Sequence, residues 1–148
     1  MQYKKAIIVV AIMAVASVAS YFYLGSQLYY PVVQLTLPDG LSLTAVLPET
    51  KERTACRMAS DRFVDPLKQS CKECKVAAAR CERHLEGLEL AMREGAPVPH
   101  PVVVARELRM AVLGPPEAAK AGCQVLAANM VANGEKTAVC VPPAPPKS

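Results

Sequence analysis

Two stretches decide the reading of this chain: AVLPETKERTAC, Ala45 to Cys56, and AVLGPPEAAKAGC, Ala111 to Cys123. Each reads as the end of a strand, a turn containing proline, and the start of a helix that carries a cysteine on its second or third turn. Each is followed by a strand ending in cysteine: Ala77 to Cys81 after the first, Lys136 to Cys140 after the second. The first copy carries about eight additional residues between helix and strand, and these hold Cys71 and Cys74. Self-similarity of this kind predicts two βαβ units. The expected fold class is therefore α+β, a βαββαβ two-layer sandwich of the ferredoxin-like kind, with one sheet and two helices on one face.

Working outward, Val32 to Leu37 and Leu41 to Leu47 flank the turn triplet Pro38-Asp39-Gly40 and read as strands. Pro48 to Gln69 carries helical spacing at Ala55, Met58, Ala59, Arg62 and Phe63, with Pro66 ending or kinking it. Lys75 to Cys81 suits a strand or a helix, its length favouring a strand. Leu85 to Arg93 suggests a short helix, and the proline-rich Gly95 to Pro101 an extended connector. Val102 to Leu113 is a strand pair or one bent strand. A helix from Glu117 to about Val131 ends at Asn133-Gly134, and Lys136 to Val141 is the last strand.

Upstream, Ala6 to Leu24 contains no charged residue. At ~1.5 Å per residue it spans roughly the hydrocarbon thickness of a bilayer. Tyr21, Phe22 and Tyr23 close it with rings suited to the interface, Lys4 and Lys5 precede it, and the next positive residue is Lys51. That asymmetry predicts a cytoplasmic N-terminus and an exported body. The alternative is a signal peptide cleaved after Ala19, and it exports the same body. The expected organisation is a cytoplasmic stub at 1–5, a transmembrane anchor (or signal peptide) at 6–24, a linker at 25–31, a disulfide-stapled periplasmic domain at 32–141 and a disordered proline-rich tail at 142–148. The localisation is the bacterial inner membrane, single-pass, with the membrane itself as a partner through residues 6–24.

The chain has 148 residues, no Trp and two Phe, so its core is built from smaller side chains and calls for extra restraint. Six cysteines in an exported domain read first as disulfides. The repeat selects the pairs Cys56 with Cys81 and Cys123 with Cys140, and leaves Cys71 with Cys74. Each long bridge pins a helix to the sheet and is worth about 2–4 kcal/mol. Cys71 and Cys74 also have the spacing of a redox-active dithiol, which makes a thiol–disulfide oxidoreductase the alternative activity. Cys71, Cys74, Cys81 and His84 resemble a zinc set in spacing. The interval between the second and third ligands is short for one, and the compartment favours disulfides, so no metal and no cofactor are expected.

Lys4 and Lys5 account for two of the 17 Lys and Arg residues, leaving 15 against 13 Asp and Glu. That near balance, without basic runs or interleaved aromatics, gives nucleic-acid binding little support. His84 and His100 have no nucleophile motif around them and read as surface residues; no enzyme is expected. Arg80, Arg83, Arg106 and Arg109 fall near the expected strands. Two of them on one sheet face could meet an anionic or hydroxyl-rich polymer; the simpler reading is a charged edge that discourages strand pairing.

The run Leu108-Arg109-Met110-Ala111-Val112-Leu113-Gly114-Pro115, the Ala-rich helix from Glu117 to Ala132 and the strand ending at Cys140 resemble the sporulation-related repeat (SPOR) domains of bacterial envelope proteins. The resemblance implies a βαββαβ module behind one membrane helix, binding peptidoglycan glycan strands. The Cys71–Cys74 insertion, the proline loop and the scarcity of aromatics depart from that pattern. The run Cys71 to Arg83 is also similar to exported segments of membrane proteins in surface-polysaccharide biosynthesis. No residue role is carried over from either. The expected function is a membrane-tethered, non-catalytic module binding envelope glycan or a partner in the envelope machinery; a structural subunit of an inner-membrane complex is the further alternative.

Overall fold

The computed structural model describes residues 27–145. The anchor expected over 6–24 lies outside the described residues, and none of the described helices is long and apolar enough to cross a membrane.

The chain runs through β1 (Tyr30–Thr36), β2 (Ser42–Val46), α1 (Arg53–Ser70), β3 (Lys75–Glu82), α2 (Gly87–Glu94), β4 (Val102–Ala105), β5 (Leu108–Leu113), α3 (Pro116–Ala132) and β6 (Val139–Val141). The strands form one six-stranded antiparallel sheet in the order β3-β1-β2-β5-β4-β6. The α+β class and the doubled unit are as expected, but the unit is ββαβ rather than βαβ. Each half opens with a hairpin. The first turns at Pro38-Asp39-Gly40: Gly40 takes φ +81°, the Leu37 amide donates to the Leu41 carbonyl at 2.8 Å, and Asp39 Oδ1 accepts from the Leu41 amide. The second turns at Arg106-Glu107, with Arg106 at φ +50°. The order β3-β1-β2 in one half and β5-β4-β6 in the other is one arrangement repeated about an axis between β2 and β5.

The two copies of Ala-Val-Leu are out of phase. Ala45 faces the core under the long helices, together with its partner Met110 and with Val112. Ala111 faces the opposite core with Val32, Val46 and Val102. A one-residue slip moves every side chain of a strand to the other face. The extra residue in Gly114-Pro115-Pro116 absorbs that slip, so Ala45 corresponds to Val112 in space and Cys56 to Cys123.

α1 and α3 cover one face. α1 buries Cys56, Ser60 and Val64; α3 buries Ala119, Cys123 and Ala127. These positions recur every four residues, as a helix on a sheet requires. Of these, Val64, Ala119, Cys123 and Ala127 share one core with Val33, Leu35, Leu43, Val103, Met110 and Val112. The opposite face is not bare: α2 and its flanks bring Leu85, Met92 and Val98 onto Val32, Val46, Val102 and Ala111. The expected two layers thus gain a partial third, and the four central strands are apolar on both sides for that reason.

Boundaries shift where tertiary contacts outweigh local pattern. α1 begins at Arg53, not Pro48, because Tyr29 and Thr50 exchange both backbone hydrogen bonds, at 2.7 and 2.8 Å, and hold the approach extended. Pro66 does not end the helix, which continues to Ser70. Residues 30 and 31, placed in the linker, already belong to β1. The last strand is shortened to Val139–Val141 because Thr137 folds back onto Glu135. In the expected disordered tail, the Ala144 amide donates to the Val98 carbonyl at 2.7 Å.

Candidate functional site

All six cysteines stand in pairs: Cys56 with Cys81, Cys71 with Cys74, and Cys123 with Cys140. These are the pairs the repeat selects. Cys56 and Cys123 are fully buried, and each ties its helix to the strand that follows, β3 or β6, the two edges of the sheet. Cys71 sits at the other end of α1. It is the helix C-cap, its amide donating to the Leu67 carbonyl at 2.8 Å, and Cys74 closes a tight turn onto the Cys71 carbonyl. The C-terminal end of a helix carries partial negative charge, which disfavours a thiolate; redox dithiols draw their acidity from a helix N-terminus. The position argues against the oxidoreductase alternative.

The four arginines noted in the sequence do not gather. Arg80 binds Glu89 at 2.6 Å and Glu82 at 3.5 Å. Arg83 donates to the Tyr29 hydroxyl at 2.9 Å and lies over its ring. Arg106 pairs with Glu135 across 3.4 Å. Arg80 and Arg109 do share a face, because the register runs Arg80, Val32, Val46, Arg109 straight across four strands. Three strand spacings of ~4.8 Å separate them, with α2 packed over the strands between. Arg109 instead is the one charged group in an apolar hollow of about 310 Å³ between the α2 face, the Gly95–Val98 loop and the chain end at Pro142–Ala144. His84 is exposed and His100 half-buried. Among the described residues no three His, Cys, Asp or Glu side chains converge as metal ligands would.

A second concavity, of about 570 Å³, lies between α1 and β3. Arg53, Arg57, Ser60 and Asp61 follow one another along one side of the helix, and the backbone from Ala79 to Glu82 forms the facing wall. The Cys56–Cys81 bond holds the two walls together. Arg53 and Arg57 are exposed, and neither has an ion-pair partner among the described residues. Both lie near the start of α1, where the helix dipole contributes positive charge; the first turn holds no acidic residue, the N-cap is Glu52, and Asp61 stands one turn beyond Arg57. Ser60 is 4% exposed, and its hydroxyl has no hydrogen-bond partner. A buried hydroxyl left unpaired is unusual and calls for an explanation.

Sequence reading did not single out Arg53, Arg57 or Ser60. Their one signal is the spacing 53/57/60/61, and it gains meaning only once β3 lies alongside.

No family model, no curated protein and no solved structure matches the chain.

Proposed function

We propose that this chain is a non-catalytic binding module, held in the inner membrane through residues 6–24, with its folded body in the periplasm, where it engages envelope glycan or a partner in the envelope machinery. The observation that carries this reading is the pairing of every cysteine, with both long helices fastened to the sheet's two edge strands. Such bonds persist in oxidising compartments and are rare in the cytosol. The charge asymmetry around residues 6–24 supports the same side of the membrane. The concavity along α1 supports contact with a partner: its wall carries Arg53 and Arg57, with Asp61 further along, and the Ser60 hydroxyl makes no hydrogen bond to a base that would activate it. The likeness of Leu108 to Cys140 to SPOR-type domains favours glycan as one candidate ligand.

The test uses the full chain in mild detergent. Retention on purified peptidoglycan sacculi above a control protein supports the glycan reading; a discrete cross-linked species in intact cells supports the partner reading. If neither is seen, the binding module is rejected. An alkaline phosphatase fusion after Ser148 should be active in cells, and an inactive fusion of normal abundance overturns the topology.

A further inference from the structure

β3 is the end strand of the sheet, bonded on one side to β1. The register shows which of its backbone groups are left over. The Leu47 amide donates to the Pro31 carbonyl, so the odd-numbered residues of β1 point toward β2 and the even-numbered ones toward β3. Val32 and Gln34 face Arg80 and Ala78, which therefore point inward. Ala79 and Cys81 present their N–H and C=O groups at the free edge, on the stretch that walls the concavity beside α1.

An open strand edge beside a helix forms a slot into which an extended chain can be added as one more strand. Ala79 is exposed and its methyl leaves the slot wide. Of the charged residues that guard the edge, Arg80 is bound both to Glu82 and to Glu89 on the α2 side. Above the slot stand Arg53 and Arg57, and the buried Ser60 hydroxyl lines it with its hydrogen bond unmade; Asp61 follows on the same wall, so the positive charge is concentrated at the Arg53–Arg57 end.

We propose that the groove between α1 and the open edge of β3 binds an extended acidic peptide segment, which pairs with the free backbone groups of Ala79 and Cys81 and sets carboxylates against Arg53 and Arg57. Guanidinium–carboxylate pairs supply the charge-assisted bonds that select acidic side chains, and the backbone ladder supplies the rest. A second copy of this chain fits less well. Antiparallel self-pairing centred on Ala79, the register that joins its free backbone groups to those of its copy, would set Lys75 opposite Arg83 at either end, like charge against like charge. This assignment deepens the partner version of the proposed function and rests on it.

The probe is a short acetylated peptide of alternating threonine and glutamate, titrated into the full-length, oxidised chain in detergent and followed by amide hydrogen exchange. Saturable binding with slowed exchange at Ala79 and Cys81 is expected. The threonine–lysine counterpart should bind at least about tenfold more weakly. Arg53→Ala with Arg57→Ala should weaken the acidic peptide by about tenfold or more. Ala79→Pro removes an edge donor without touching the β1 ladder, and should abolish the protection with the far-ultraviolet spectrum unchanged. Equal binding of the two peptides overturns the proposal. So does binding of an acidic oligosaccharide alone with no protection of β3, or concentration-dependent dimerisation that protects β3 without peptide. Retention on sacculi or cellular cross-links that survive both variants would remove the groove while leaving the binding module intact.

Discussion

Cys56, with no exposed surface, is bonded to Cys81, so the outermost strand of one half is held by the helix above it as well as by its single neighbour. Cys123 and Cys140 do the same at the opposite edge. In the chain-entropy picture the sequence separations of 25, 17 and 3 residues correspond to about 3.5, 3 and 1.5 kcal/mol. Paired alanine variants should lose stability in that order: Cys56→Ala/Cys81→Ala most, Cys71→Ala/Cys74→Ala least, by urea denaturation of oxidised protein. Equal losses for all three would show that loop closure is not the source.

Cys71 caps the C-terminus of α1, where the helix dipole opposes a negative sulfur. After selective reduction of the Cys71–Cys74 bridge, both thiols should alkylate no faster than glutathione near neutral pH. Rapid alkylation together with turnover in an insulin-reduction assay would reinstate a redox role.

Ser60 buries a hydroxyl that nothing in the fold satisfies. Ser60→Ala removes that desolvated group and adds helix propensity, so the variant should be about 1 kcal/mol more stable. A loss of stability in thermal or chemical melts would mean that the hydroxyl has a partner in solution.

Leu41, 4% exposed, is packed between two glycines. A Cβ at Gly114 would stand 2.5 Å from Leu41 Cδ2, at a backbone φ of +149° that side chains resist; at Gly122 it would stand 2.9 Å from Leu41 Cδ1. Gly114→Ala should cost about 1–3 kcal/mol, more than Gly122→Ala, where the end of one leucine can turn away. Leu41→Ala should cost about 2–5 kcal/mol by leaving a cavity. Denaturant midpoints at unchanged slope are the measure.

Glu135 joins the end of α3 to the β4–β5 turn. The Thr137 hydroxyl, at 2.6 Å, is the main cause holding its carboxyl below the ordinary glutamate value of 4.5; desolvation opposes it, and the Thr137 amide and Arg106 add smaller contributions in the lowering direction. A lowered folded value means that the contribution is complete above the unfolded value and fades as pH falls through the folded one. The melting temperatures of wild type and Glu135→Gln should therefore differ at about pH 6, and the gap should narrow steadily as the pH is taken below the ordinary glutamate value. A gap that persists in acid would assign the effect to shape rather than charge.

Local chemistry made much of this fold readable. Pro38-Asp39-Gly40 announces its turn, Pro115-Pro116 opens a helix, and the placement of Cys56 and Cys123 before Cys81 and Cys140 selects their pairs. The second hairpin was harder to locate because its turn uses Arg106 and Glu107 in place of the glycine or asparagine that φ +50° favours. Ala45 and Ala111 align in letters yet face opposite ways, because strand phase depends on the count of residues between landmarks and not on their identity. The start of α1 could not be placed from its own residues, since Tyr29, twenty-one positions upstream of Thr50, holds the approach straight. The groove at Arg53, Arg57 and Ser60 was hidden for the same reason: half of it belongs to another strand.

The axis between β2 and β5 also bears on how the molecule could be divided. Either half alone would leave the side of its inner strand without a neighbour, and the complement it needs is a copy of much the same design. Fragments severed within the proline connector, Gly95 to Pro101, therefore have one obvious way to satisfy themselves, which is to find each other. That makes the connector the natural place for a split reporter.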